Sequence, residues 1–71
     1  MLTINEIGKL VRLKRKSMGL TQSEFASLCN VGTRFVSELE NGKKTLEVAK
    51  VLKVIQNSGL SIVISEKGIG R

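Results

Sequence analysis

The chain has 71 residues and a formal net charge of +6, with 12 Lys and Arg against 6 Asp and Glu. That length holds one domain, and 41% hydrophobic residues make it globular rather than disordered. One cysteine and no histidine exclude a disulfide framework and argue against a zinc site, and no nucleophile–base or metal-ligand grouping appears, so no metal, no cofactor and no enzymatic activity are expected.

A domain this small buries only roughly 60% of its unfolded surface, so it gains from a partner. Aromatics are scarce, two Phe with no Trp or Tyr, which points to a core of Leu, Ile, Val and Ala. No apolar run approaches the ~20 residues of a membrane span. The opening MLTINEIGKLVRLKRK is broken by charges, so neither a secretory leader nor a membrane anchor is expected there, and the compartment is expected to be a reducing cytoplasm. A small basic domain points first to nucleic acid, with an acidic protein or an anionic membrane surface as the other candidates.

Thr3 followed by Glu6 is a capping-box pattern, placing a helix start near Ile4. At ~100° per residue, Ile4, Ile7, Val11 and Met18 share one stripe, and Gly19 supplies the stop. Arg15 falls on that apolar stripe and therefore needs a carboxylate partner. Lys9, Arg12 and Lys16 form a separate basic stripe.

Thr21 and Glu24 repeat the capping box and start a second helix at about Gln22, running to Cys29, with Phe25, Ala26, Leu28 and Cys29 as its buried side. Met18 and Phe25 read as core, and Cys29 as a small core residue rather than a redox sensor. Asn30 tolerates left-handed backbone, so residues 30–32 form a tight turn. A third short helix begins at Gly32 or Thr33 and ends near Asn41 and Gly42. Its apolar side is Phe35, Val36 and Leu39; its polar side is Arg34, Ser37, Glu38 and Asn41, spaced i, i+3, i+4 and i+7.

Thr45 is placed to cap a fourth helix, TLEVAKVLKVIQNSG, buried through Leu46, Ala49, Leu52 or Val51, and Ile55, and stopped by Gly59. The run LSIVIS, residues 60–65, is β-branched and alternating and reads as a strand. A lone strand cannot satisfy its backbone, so its simplest partner is the same strand of a second copy, across a two-fold axis. Laid over its own helices, the segment would instead be an extended tail.

Two short helices joined by a tight turn form a helix-turn-helix, whose second helix enters the major groove while the first crosses the phosphate backbone. Thr21 and Gln22 at the start of the second helix suit a phosphate. Arg34 has the fork that bonds guanine O6 and N7. Glu38 accepts from a cytosine amine or holds Arg34 in place at i+4, and Ser37 and Thr33 complete the base-reading set. Asn41, Lys43 and Lys44 follow the helix where phosphates would run.

The segment LTQSEFASLCNVGTRFVSELENGK, residues 20–43, resembles the Cro/repressor-type (xenobiotic-response-element) helix-turn-helix domains, through TQ at the start of the second helix and LENGK at the end of the third. With its flanking helices the resemblance spans about residues 4 to 57. It implies an all-α fold, a four-helix to five-helix domain with a short C-terminal β-strand pairing across a homodimer. It also implies a structural ion pair between Arg15 and Glu40, which supplies the partner that Arg15 lacks. The chain departs from the pattern at Asn30, where Gly is usual in the turn, and at Gly32, where Ser or Thr is usual at the cap.

The run RFVSELENGKKTLEVAKVLKVIQNSGLSIVIS further resembles the HipB-type antitoxins, small proteins commonly encoded beside a HipA-like serine/threonine kinase toxin. That resemblance implies a helix-turn-helix DNA-binding domain over residues 1–59, a dimerisation strand over 60–65 (Leu60, Ser61, Ile62, Val63 and Ile64) and a flexible tail over 66–71. The function so implied is a repressor of its own operon that binds palindromic double-stranded operator DNA as a homodimer, associates with the nucleoid when bound, and pairs with a HipA-like kinase toxin. The alternatives are a stand-alone or phage-type repressor with no toxin, and a protein-interaction module with an acidic partner.

Overall fold

The computed structural model describes residues 2–66. Four helices follow one another: α1 Ile4–Ser17, α2 Gln22–Cys29, α3 Thr33–Glu40 and α4 Val48–Asn57. The first two begin in the same way. The Thr3 hydroxyl accepts from the Glu6 amide at 3.2 Å while the Glu6 carboxylate accepts from the Thr3 amide at 2.8 Å. Thr21 and Glu24 repeat that reciprocal pair at 3.1 and 2.8 Å. Each box satisfies two amides that a helix start leaves without partners.

The ends are equally local. α2 closes with Asn30 in the left-handed region, φ 59°, its amide donating to Ser27 O and that of Val31 to Ala26 O. α3 closes through Gly42, φ 76°, with Gly42 N donating to Leu39 O and Lys43 N to Glu38 O. Both are Schellman turns, in which a residue with positive φ lets the chain fold back over the last helical turn. In α3 this fold-back carries Lys43 over Glu38.

The core is Val11, Phe25, Ala26, Cys29, Val36, Leu39, Val51, Val54 and Ile55, drawn from all four helices. Phe25 and Leu39 are its largest fully buried side chains, and losing either ring or branch would cost about 3–5 kcal/mol. Cys29 lies within it, its Sγ donating weakly to Val54 O at 3.8 Å, and burial pushes its thiol above the ordinary value. Asn57 ties α4 to α2 by donating to Cys29 O at 3.2 Å. Among the described residues no helix is long and apolar enough to cross a membrane.

Several expectations of burial need correction. Met18 lies beyond the last residue of α1 and is 39% exposed, so the stripe of α1 is Ile4, Ile7 and Val11 with buried Gly8. Leu28 is 47% exposed because Phe25, Ala26 and Cys29 already fill the core side of α2. Thr45 caps nothing: the chain runs irregularly to Glu47, which starts α4 without a side-chain bond. Leu46 still packs on the core from that irregular stretch. The buried face of α4 is then Val51, Val54 and Ile55, while Ala49 and Leu52 are exposed.

Residues 60–66 form no strand in this single chain, and no strand occurs among the described residues. The reason is the one that applies to any isolated strand: its backbone groups have no neighbouring ladder. Leu60 packs against the core, but Val63 and Ile64 stand out in solvent. The tail expected to be flexible falls, from 67 onward, outside the described residues.

Candidate nucleic-acid interface

α3 is held at both ends with its polar side left outward. At its start, Thr33 Oγ1 and Ser23 Oγ lie 3.2 Å apart, joining α3 to α2. Gly32 precedes the helix with extended backbone and no side-chain bond, and Thr33 sits inside the first turn rather than capping it. Along its length Val36 and Leu39 are fully buried. Near its last turn, α1 approaches so closely that a Cβ on Gly8 would strike the carbonyl oxygen of Leu39.

At its end lies a polar cluster. Arg15 Nε donates to Glu40 Oε2 at 2.7 Å and Arg15 Nη2 to Glu40 Oε1 at 3.0 Å, a two-pronged ion pair. Arg15 Nη1 also donates to the carbonyl of Leu20 at 2.9 Å, and Gln22 Nε2 to Glu40 Oε1 at 3.2 Å. The cluster thus ties the loop after α1, the start of α2 and the last residue of α3. Burial alone would raise the Glu40 pKa. The hydrogen bonds from Arg15 and Gln22, with the nearby charges of Arg15 and Arg12, outweigh it and hold Glu40 below the usual carboxylate range. The bond to Glu40 conversely pushes the Arg15 guanidinium higher.

The outward side carries the residues expected to read or grip DNA. The Arg34 side chain is 89% exposed. Thr33 is exposed, and Ser37 and Glu38 are half-buried. Glu38 Oε2 accepts from Arg34 Nε at 3.2 Å and from Lys43 Nζ at 3.1 Å. The Lys43 bond chiefly holds the Glu38 carboxyl below its ordinary range; desolvation opposes it, and the Arg34 bond and both charges add to the lowering. Asn41, Lys43, Lys44 and Thr21 are exposed. Gln22 is half-buried and shared with Glu40, although its amide keeps a second hydrogen for an outside acceptor.

Three contacts around this surface escape a reading of the sequence. The Glu38–Lys43 pair spans a helix end at a separation of five, which helical periodicity does not offer. The Gln22 bond to Glu40 and the Gly8 approach are tertiary, and their sole local hint is a glycine inside an otherwise regular helix.

The helix-turn-helix family model matches residues 11–63, from mid-α1 into the C-terminal segment. The chain belongs to that helix-turn-helix family. Its relatives include the HTH-type transcriptional regulator y4mF of Sinorhizobium fredii, 48% identical over 63 residues that cover 89% of this chain and 83% of the relative. Another is the control protein C.MunI of a Mycoplasma species, 31% identical over 58 residues, covering 82% of this chain and 76% of the other. Among solved structures, a chain of the HipA-HipB-O2-O3 complex superposes with a TM-score of 0.80 at 22% identity, covering 94% of both chains. The HipB-O4 20mer complex gives 0.79 at 22% identity and the same coverage. At that identity the likeness establishes the fold. As a member of the family with regulators among its relatives, the chain is a helix-turn-helix transcriptional regulator.

Proposed function

We propose that this regulator is a sequence-specific repressor that binds palindromic operator DNA as a homodimer. The observation that carries the proposal is the fixed α3, secured by the Arg15–Glu40 pair, with an almost fully exposed Arg34 on its outer side. In this reading α3 enters the major groove and Thr33, Arg34, Ser37 and Glu38 face base edges. Thr21, Gln22, Asn41, Lys43 and Lys44 face phosphates, and the net charge of +6 draws the protein to the duplex. The activity is binding, and no catalytic step is assigned to it.

The proposed dimer places two α3 helices on half-sites roughly 34 Å apart. Residues 1–59 form the DNA-binding domain, and residues 60–65 pair with those of a second copy. Support comes from the exposed apolar side chains of Val63 and Ile64, and from an open groove lined by Ile7, Leu10, Ile55, Leu60 and Ile62. Pairing would give the strand the ladder it lacks in the single chain.

The finer proposal is that this is an antitoxin that represses its own operon and binds a HipA-like serine/threonine kinase. It is supported by the sequence pattern from Arg34 to Ser65 and by the shared fold with the HipA-HipB-O2-O3 chain. The second reading is a stand-alone repressor without a toxin, which is in keeping with relatives named as a transcriptional regulator and a control protein. Affinity capture from native cells, with mass spectrometry for protein and sequencing for DNA, tests both. A HipA-like kinase captured with operator DNA supports the antitoxin; operator DNA alone supports the stand-alone repressor. Loss of DNA capture against scrambled competitor overturns the repressor reading.

A further inference from the structure

We propose that Glu38 is a positioning residue that sets DNA specificity, aiming Arg34 and withholding Lys43 from DNA that lacks the right base. This rests on the DNA-reading proposal and refines the part of one residue in it. The geometry is a three-body cluster: both cations converge on the same oxygen, Glu38 Oε2, at 3.2 and 3.1 Å. One cation comes from the preceding turn of α3. The other is folded back from beyond the helix by the Schellman turn at Gly42.

The atom used on Arg34 matters. Glu38 takes Nε, and among the described residues neither Nη1 nor Nη2 has a protein partner. Those two nitrogens form the paired end-on donors that match guanine O6 and N7. Arg34 can therefore engage a guanine while its bond to Glu38 stays intact. Holding the guanidinium at its Nε also removes part of the rotamer freedom that a 89%-exposed arginine would otherwise lose on binding.

The effect on other DNA is opposite. Binding without base contacts depends on cations meeting phosphates. A phosphate that approaches Lys43 or Arg34 must compete with a carboxylate already bonded to both, and is itself repelled by that carboxylate. Glu38 thus weakens binding to any duplex, but the guanine contact formed by a pre-aimed Arg34 compensates on the correct one. A carboxylate on a surface facing a polyanion is then an aid to discrimination rather than to affinity.

The test compares wild-type protein with Glu38→Gln, which keeps the shape and removes the charge. The probes are a labelled duplex selected from random DNA by the wild-type protein, its single-base variants, and a scrambled duplex of equal composition, each titrated over a salt series. For E38Q we expect about tenfold tighter binding to scrambled DNA, a salt slope steeper by about one, and no gain on the selected duplex. The specificity ratio then falls about tenfold, and preference relaxes at the base pair that Arg34 reads. An equal gain on both duplexes, or no change on either, overturns the proposal. So does lost preference at a base pair that Arg34→Ala leaves unaffected, since that makes Glu38 a direct reader. A wild type that prefers no sequence overturns the DNA-reading proposal itself and this one with it.

Discussion

Arg15, late in α1, and Glu40, the last residue of α3, are joined by two hydrogen bonds of 2.7 and 3.0 Å although 25 positions separate them. The Glu40 side chain is only 3% exposed. The pair brings the end of α3 to the end of α1, and it accounts for an arginine on an otherwise apolar stripe. Both charges are compensated, so what matters is the loss of one partner rather than the net worth of the pair.

Glu40→Gln should therefore destabilise the fold by about 3 kcal/mol, because Arg15 keeps a charge that nothing nearby balances. Urea unfolding followed by circular dichroism measures this. A loss within a few tenths of a kcal/mol would mean that water already satisfies Arg15.

The same pair predicts an acid limb. The folded-state pKa of Glu40 is lowered, so the native state binds fewer protons than the unfolded chain near that pKa. Its contribution is fully present above the unfolded glutamate value, about 4.3, and is lost as pH falls through the lower folded value. Wild-type stability should decline over that window, and Glu40→Gln should show a shallower decline from a lower start. Parallel pH curves for the two proteins would contradict the assignment.

Gly8→Ala should cost about 1–3 kcal/mol, because the added methyl would push α1 away from the Leu39 carbonyl. The displacement acts on α3, so operator affinity should fall along with thermal stability. Unchanged melting would show that α1 yields freely at that crossing.

The single chain leaves Ile64 91% exposed, so a substitution there has little to disturb within one copy. Ile64→Lys should leave the helical circular dichroism unchanged and weaken self-association by tenfold or more in sedimentation. An unaltered sedimentation profile would remove residues 60–65 from the dimer interface.

What could be read from the sequence was local. Thr3 with Glu6 and Thr21 with Glu24 announce helix starts because both partners lie within one turn, and Asn30 and Gly42 announce ends because few residues accept positive φ. The polar side of α3 was legible for the same reason, being a matter of spacing. The width of an apolar stripe was not, since it depends on which neighbour covers it; Leu28 and Leu52 lie beside the covered faces of α2 and α4, and Met18 lies past the end of α1, so all three stay exposed. Thr45 misled because a good capping residue beside a leucine looks like a start, whereas Leu46 reaches the core before the helix begins. The Glu38–Lys43 bond required the path of the chain beyond α3. The proposed pairing of residues 60–65 takes its partner from a second molecule and so leaves no contact within one chain.

The proposed reading of bases by α3 through Arg34 has a direct test. Wild-type protein and Arg34→Ala are titrated against the selected operator duplex and each of its single-base variants at fixed salt. The expected result is a loss of about 1–3 kcal/mol on the operator, with discrimination lost at a single base pair per half-site and kept elsewhere. A uniform loss across every duplex would make Arg34 a phosphate contact and contradict its proposed role as a reader of bases.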